Sequence, residues 1–206
     1  MIVLGLTGSI AMGKSTAAAI FRSFGVPVFD ADAAVHDLFR PLGGAVGLVD
    51  RAFPGCLDGA GGIDRAALGR AVFDRPDALR RLEAIVHPLV RAAERTFLSG
   101  CRRRGQRIAV LDIPLLFETG ADRRVDAVAV VSAPAFVQEQ RALRRGGMSR
   151  QRLDQILARQ TFDREKRRRA DFVIPSGLGR RTTVEAIARL LDTLRGGART
   201  QRKRGR

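Results

Sequence analysis

Residues 2 to 16 read IVLGLTGSIAMGKST, and this stretch decides the fold. The apolar run 2–6 is too short for a helix and ends at Thr7-Gly8, as a buried strand does. Residues 8–15, GSIAMGKS, satisfy G-x-x-x-x-G-K-[ST] in full, with Gly8, Gly13, Lys14 and Ser15 in the required places. From Lys14 onward, Ile20, Phe21 and Phe24 recur at helical spacing and Gly25 supplies a stop. Strand, glycine loop and helix in that order open a parallel α/β sheet.

Reading outward, four more short apolar runs bounded by charged or turn residues predict strands at 26–30, 108–112, 127–131 and 172–174. The block 33–105 has a mostly helical pattern, broken by a Gly/Pro-rich stretch at 41–62, and its longest helix is expected at 88–104. Helices are also expected at 136–145 and, with Ser149 as cap, through Gln160, followed by the basic run 164–169. Val184, Ile187, Leu191 and Leu194 give a final helix one apolar stripe, after which Gly196-Gly197 ends ordered structure. The fold class is α/β: a parallel sheet sandwiched by helices, its crevice at the carboxyl ends of the strands.

The glycine loop carries the most specific chemistry. Its backbone can curl so that successive N–H groups point at phosphate oxygens, and the following helix aims its positive dipole end at the same anion. Lys14 can bridge the β- and γ-phosphates, Ser15 can ligate Mg²⁺ and Thr16 can donate to the α-phosphate. The expected ATP-binding loop residues are Gly8, Ala11, Met12, Gly13, Lys14, Ser15 and Thr16.

The loop leaves the recipient of the γ-phosphoryl open. A chain of 206 residues has little room for motor or switch machinery, and it lacks an NKxD-type guanine-reading sequence, so a small-molecule kinase is favoured. Such an enzyme needs an acidic group that orients the acceptor hydroxyl and takes its proton. In FDAD at 29–32, after the second strand, Asp32 is the choice for that base and Asp30 for a strand-end or turn residue. By position alone, both aspartates could simply cap the next helix. His87-Pro88, with Arg91 one turn on, could likewise be only a helix start. Arg141, Arg144 and Arg145 precede a glycine pair and a second basic helix. A mobile arm there could bring guanidinium groups over the transferred phosphoryl, an effect on the order of 10³ in rate.

Charge suggests a different partner at first. Against 21 acidic residues stand 37 basic ones, giving +16, a balance that by itself indicates nucleic acid. Only three of the 37 are lysines, Lys14, Lys166 and Lys203, a bias that fits a general preference for arginine codons. The excess is also local: segment 141–169 carries a net +8 and residues 196–206 carry +5, leaving +3 for the rest. With no Trp or Tyr, stacking platforms for single strands would have to come from 11 Phe that mostly sit in apolar patterns. A small phosphate-rich partner is the better reading. Uncharged runs fall short of a bilayer span, the N-terminus lacks a secretory pattern, and Cys56 and Cys101 are isolated. A soluble cytoplasmic protein with incidental or buried thiols is expected.

Several ordered segments together resemble the dephospho-CoA kinase family: GLTGSIAMGKST at 5–16, FDAD at 29–32, LEAIVHPLVR at 82–91, LDIPLLFE at 111–118, QRALRR at 140–145, ILARQ at 156–160 and ADFVI at 170–174. The resemblance implies transfer of the ATP γ-phosphoryl, with Mg²⁺, to the ribose 3′-hydroxyl of dephospho-CoA. It implies a nucleotide core at about 1–32, 106–140 and 170–195, a helical acceptor-binding part at 33–105 and a lid at 141–169. Asp32 becomes the base, and Lys14 and Arg141 the phosphoryl stabilisers. Arg145 joins the ATP side, while His87, Arg91, Leu116, Phe117 and Glu118 fall on the acceptor side. ATP and dephospho-CoA are then the partners, with neither a membrane nor nucleic acid among them. A kinase for another small acceptor, such as a nucleoside monophosphate, is the alternative.

Two segments depart from the family pattern. Ser9, Ala11 and Met12 replace Gly, Gly and Ser of the common GGIGSGKS loop, leaving the backbone fewer permissive positions. VIPSG at 173–177 replaces the adenine-side ending VI-x-N-x-G, which puts adenine contacts from that segment in doubt.

Overall fold

The computed structural model describes residues 1–196. The basic tail, expected to be disordered, lies outside the described residues from position 197. Along the chain come β1 (Ile2–Thr7), α1 (Lys14–Ser23), β2 (Val28–Asp30), α2 (Ala31–Phe39), α3 (Val46–Ala52), α4 (Arg65–Val72) and α5 (Pro76–Arg103). These are followed by β3 (Ile108–Asp112), β4 (Ala127–Ser132), α6 (Ala135–Leu143), α7 (Arg150–Ala158), α8 (Asp163–Arg169), β5 (Phe172–Pro175) and α9 (Arg180–Arg195). The chain forms two compact units, one of residues 1–29 with 101 onward and one of residues 30–100.

In the first unit, five strands form one sheet in the order β2-β3-β1-β4-β5. The β1–β3, β1–β4 and β4–β5 pairings are parallel, and Leu6 of β1 lies opposite Asp112 at the end of β3. Every residue of β3 and β4 is buried, as a parallel sheet covered on both faces requires. On one face Leu4, Leu6, Val110, Ala129 and Val131 pack against Phe21 of α1 and Ile187 and Leu191 of α9. On the other face Gly5 lies under Leu116. A β-carbon at position 5 would stand 2.7 Å from a Leu116 methyl and 3.2 Å from Val125, so a larger residue there would make the segment that follows β3 shift. The expected strands are all present, and the basic run 164–169 is itself helical, as α8.

The second unit is helical around its own small core of Phe39, Val49, Phe53, Cys56, Ile63, Leu68 and Val86. Its longest helix corrects the sequence expectation of 88–104, because α5 begins at Pro76 and Pro88 lies inside it. A proline deprives the preceding turn of one hydrogen bond and ordinarily ends a helix. Here Leu82, Ile85, Val86, Leu89 and Val90 form an apolar stripe packed on the unit's core on both sides of Pro88, and that burial outweighs the missing bond. Asp64 caps α4. Its carboxylate accepts from the N–H groups of Ala67 and Ala66, and these bonds hold its pKa below the ordinary value.

Candidate active site

The loop between β1 and α1 has the backbone that its glycines imply. Gly13, the cap of α1, takes φ +89°, and no side chain caps the helix, so the first-turn N–H groups are available to an anion. Gly8 is fixed by space, since a β-carbon there would lie 2.7 Å from the Val131 carbonyl oxygen of β4. Ser15 and Thr16 are exposed at the start of α1. Lys14 extends to Asp112, with Nζ 2.6 Å from Oδ1. Asp112 is 2% exposed, so the end of β3 places a buried carboxylate beside the loop lysine.

The departures from the common loop pattern have structural partners. Ala11 adopts φ +60°, a left-handed conformation that costs a residue with a β-carbon roughly 1–2 kcal/mol. Its methyl group is buried with Ala142 of α6 and Leu153 of α7, and Ile10, Met148 and Leu157 pack around them. Burying one methyl recovers about 0.8 kcal/mol, most of the lower strain figure. Polar ties reinforce the contact: the Ile10 N–H donates to Gln160 Oε1 (3.1 Å), and Gln138 Nε2 donates to the Ile10 carbonyl (2.9 Å). Met12 is buried and its carbonyl accepts from Ser176 Oγ at 2.6 Å.

Arg141, on the last turn of α6, sits beside this loop. Its NH1 and NH2 donate to Ser176 Oγ (3.2 Å) and to the Ser176 carbonyl (2.7 Å). NH1 also lies 3.6 Å from where a Gly13 β-carbon would be. Arg145, one turn further, is exposed.

The segment after β3 is tied down differently. Leu116 is fully buried in the sheet's packing, and the Arg169 guanidinium lies 4.3 Å over the Phe117 ring. Glu118 Oε1 accepts from the Thr161 N–H at 2.8 Å and lies 3.0 Å from Nζ of Lys166, which is wholly buried. Burial pushes the Glu118 carboxyl up, but the Thr161 bond and the Lys166 ammonium outweigh it, and the pKa is lowered. Asp163 Oδ2 accepts from Ser132 Oγ at 2.7 Å, which adds a carboxylate from α8 at the end of β4.

In the second unit, the Asp30 side chain accepts from the Ala33 N–H at 3.0 Å and so caps α2. Asp32, in the first turn, is exposed. His87 and Arg91 are both exposed and lie four residues apart on one side of α5. Each unit thus brings together its own share of the predicted residues: Gly8 to Thr16 with Arg141 in one, His87 with Arg91 in the other. Asp112, Ser176 and Lys166 were not singled out from the sequence. Asp112 had one signal, its place at the polar end of a buried strand. Lys166 had another, as a rare lysine in a chain that uses arginine for 34 of its 37 cations.

Comparison with known proteins bears directly on this arrangement. The dephospho-CoA kinase family model matches residues 2–178. The chain belongs to the dephospho-CoA kinase family. A dephospho-CoA kinase of Paramagnetospirillum magneticum is 64% identical over 168 residues, 81% of this chain and 78% of that protein. One from Rhodospirillum rubrum is 52% identical, covering 98% of this chain and 96% of its own. A solved Thermus thermophilus structure superimposes with a TM-score of 0.81 at 36% identity, over 93% of this chain and 96% of that one. The dephospho-CoA kinase of Campylobacter jejuni, with a TM-score of 0.65 at 24% identity over the same shares, has the same fold. Membership in the dephospho-CoA kinase family agrees with the five-stranded parallel sheet and with a phosphate loop at the head of α1.

Proposed function

We propose that this chain transfers the γ-phosphoryl of ATP to the ribose 3′-hydroxyl of dephospho-CoA, giving CoA and ADP. The observation that carries the reading is the phosphate loop with Lys14 held at Asp112, in a member of this kinase family. The N–H groups at the head of α1 bind phosphate oxygens, and Lys14 exchanges part of its contact with Asp112 for the β- and γ-phosphates. The Ser15 hydroxyl and the Asp112 carboxylate are oxygen donors of the kind Mg²⁺ prefers, and no cluster of three acidic, His or Cys ligands exists among the described residues. That donor set fits an ion brought by the nucleotide, where Mg²⁺ would neutralise charge between the β- and γ-phosphates. Arg141 and Arg145 offset charge on the transferred group and the nucleotide.

On the acceptor side, Asp32 takes the proton of the attacking hydroxyl. His87 and Arg91 supply cationic and hydrogen-bonding groups for the acceptor's phosphates, and the Leu116–Glu118 segment shapes its binding. The helical part at about 33–105 binds the acceptor, and 141–169 forms the lid. No helix among the described residues is long and apolar enough to cross a membrane. The Asp32→Asn variant tests the base directly. It is expected to bind ATP like the parent while kcat falls by about 10²–10⁴. Undiminished turnover would remove Asp32 from the reaction.

A further inference from the structure

Ser176 joins three segments far apart in the chain. It follows β5, is 8% exposed, and its own N–H donates to the Ser132 carbonyl at the end of β4 (2.9 Å), which fixes its backbone to the sheet. Its hydroxyl has one hydrogen. The Met12 carbonyl, at 2.6 Å, is the near acceptor, and the Ser132 carbonyl, at 3.4 Å, is much the poorer one. With the proton committed to the phosphate loop, an Oγ lone pair is turned to Arg141 NH1, while the Ser176 carbonyl takes Arg141 NH2. The guanidinium is therefore held by two bonds to a single residue, which fixes its plane. A guanidinium has five N–H donors, and this fork uses two. The others are left for an anion beside Gly13, whose absent β-carbon would be 3.3 Å from Ser176 Oγ and 3.6 Å from Arg141 NH1.

We infer that Ser176 is a positioning residue for phosphoryl transfer: its hydroxyl couples the Met12 carbonyl of the phosphate loop to the Arg141 guanidinium and sets the direction in which Arg141 presents its remaining donors. The departure at VIPSG is then a working part of the site, contributing through the loop and the arginine. The inference rests on the assignment of Arg141 as a stabiliser of the transferred phosphoryl.

The test is a double-mutant cycle on the full chain, with steady-state kinetics in ATP and dephospho-CoA. Ser176→Ala removes the hydroxyl and keeps the carbonyl. Loss of a hydrogen bond to a charged group predicts about a ten-fold or greater fall in kcat, with KM for dephospho-CoA little changed. Ser176→Thr, which retains the hydroxyl, restores most of that loss. In an Arg141→Ala background, Ser176→Ala has little further effect on kcat, because the group it orients is gone. If the two losses multiply, Ser176 serves the loop alone and the inference is overturned. If Arg141→Ala is itself fully active, the assignment of Arg141 falls instead, and the two failures are distinguishable. Should Ser176→Ala fail to fold, Ser176→Cys keeps a side chain of similar size, weakens both bonds and takes its place in the cycle with the same predictions.

Discussion

The two units carry their functional groups in opposite ways. In the first, three candidate side chains are held by others before any substrate arrives: Lys14 by Asp112, Arg141 by Ser176, Glu118 by Lys166 and the Thr161 N–H. In the second, Asp32, His87 and Arg91 stand exposed on helices whose packing is done by other residues. Phosphoryl transfer has little covalent chemistry for a protein to perform, so positioned charge matters most, and charge is costly to hold fixed without partners. The first unit answers that demand with a prearranged network. The candidate groups of the second unit are surface side chains that owe little to its core.

Breaking the network should therefore cost both activity and stability, whereas changes to the exposed groups should cost activity alone. The largest effect is expected from Lys14→Ala, with kcat/KM for ATP falling on the order of 10³-fold in the coupled assay for ADP release. Next comes Lys166→Met, which leaves the half-buried Glu118 carboxylate without its ammonium partner. It should lower unfolding free energy by about 1–3 kcal/mol in urea titrations, and adding Glu118→Leu should recover part of that loss.

The same pair predicts a pH dependence. The Glu118 pKa is depressed in the folded state, so the stability it contributes is complete above the ordinary glutamate value of about 4.3 and is lost as pH falls through the lower folded value. The stability difference between the parent and Glu118→Gln should accordingly shrink on acidification below about pH 4.3. A smaller effect is expected at Ala11→Gly. Relief of left-handed strain is offset by the lost methyl burial and by the added freedom of the unfolded chain, so stability should move by less than about 1 kcal/mol. Smallest of all is Asp30→Asn, which keeps a side-chain oxygen for the Ala33 N–H and should leave both folding and turnover near the parent's. Set against Asp32→Asn two residues away, it separates a cap from a base.

The sequence makes the glycine loop readable because its chemistry is mostly backbone, and backbone needs appear as Gly8 and Gly13 at fixed spacing. The strands were equally plain, since a doubly covered parallel sheet demands uninterrupted apolar runs. The start of α5 was hidden because local rules stop a helix at Pro88, while the apolar stripe that carries it through is paid back only in tertiary packing. Asp30 is read from the sequence as a strand-end or turn residue, and the hydrogen bond from the Ala33 N–H makes it the cap of α2. Ser176 read as a loss against the family pattern, and only the folded chain reveals its bonds to Met12 and Arg141. The net +8 of segment 141–169 is partly matched within the fold, for example by Arg169 with Asp122 and Arg150 with Glu139.

The proposed reaction is tested most directly by supplying the purified chain with ATP and Mg²⁺ and comparing ADP release across acceptors: dephospho-CoA, nucleoside monophosphates and water alone. The account predicts rapid ADP release with dephospho-CoA, matched mole for mole by CoA, and only a slow background otherwise. Faster turnover with a nucleoside monophosphate, or ADP release that ignores dephospho-CoA, would contradict it.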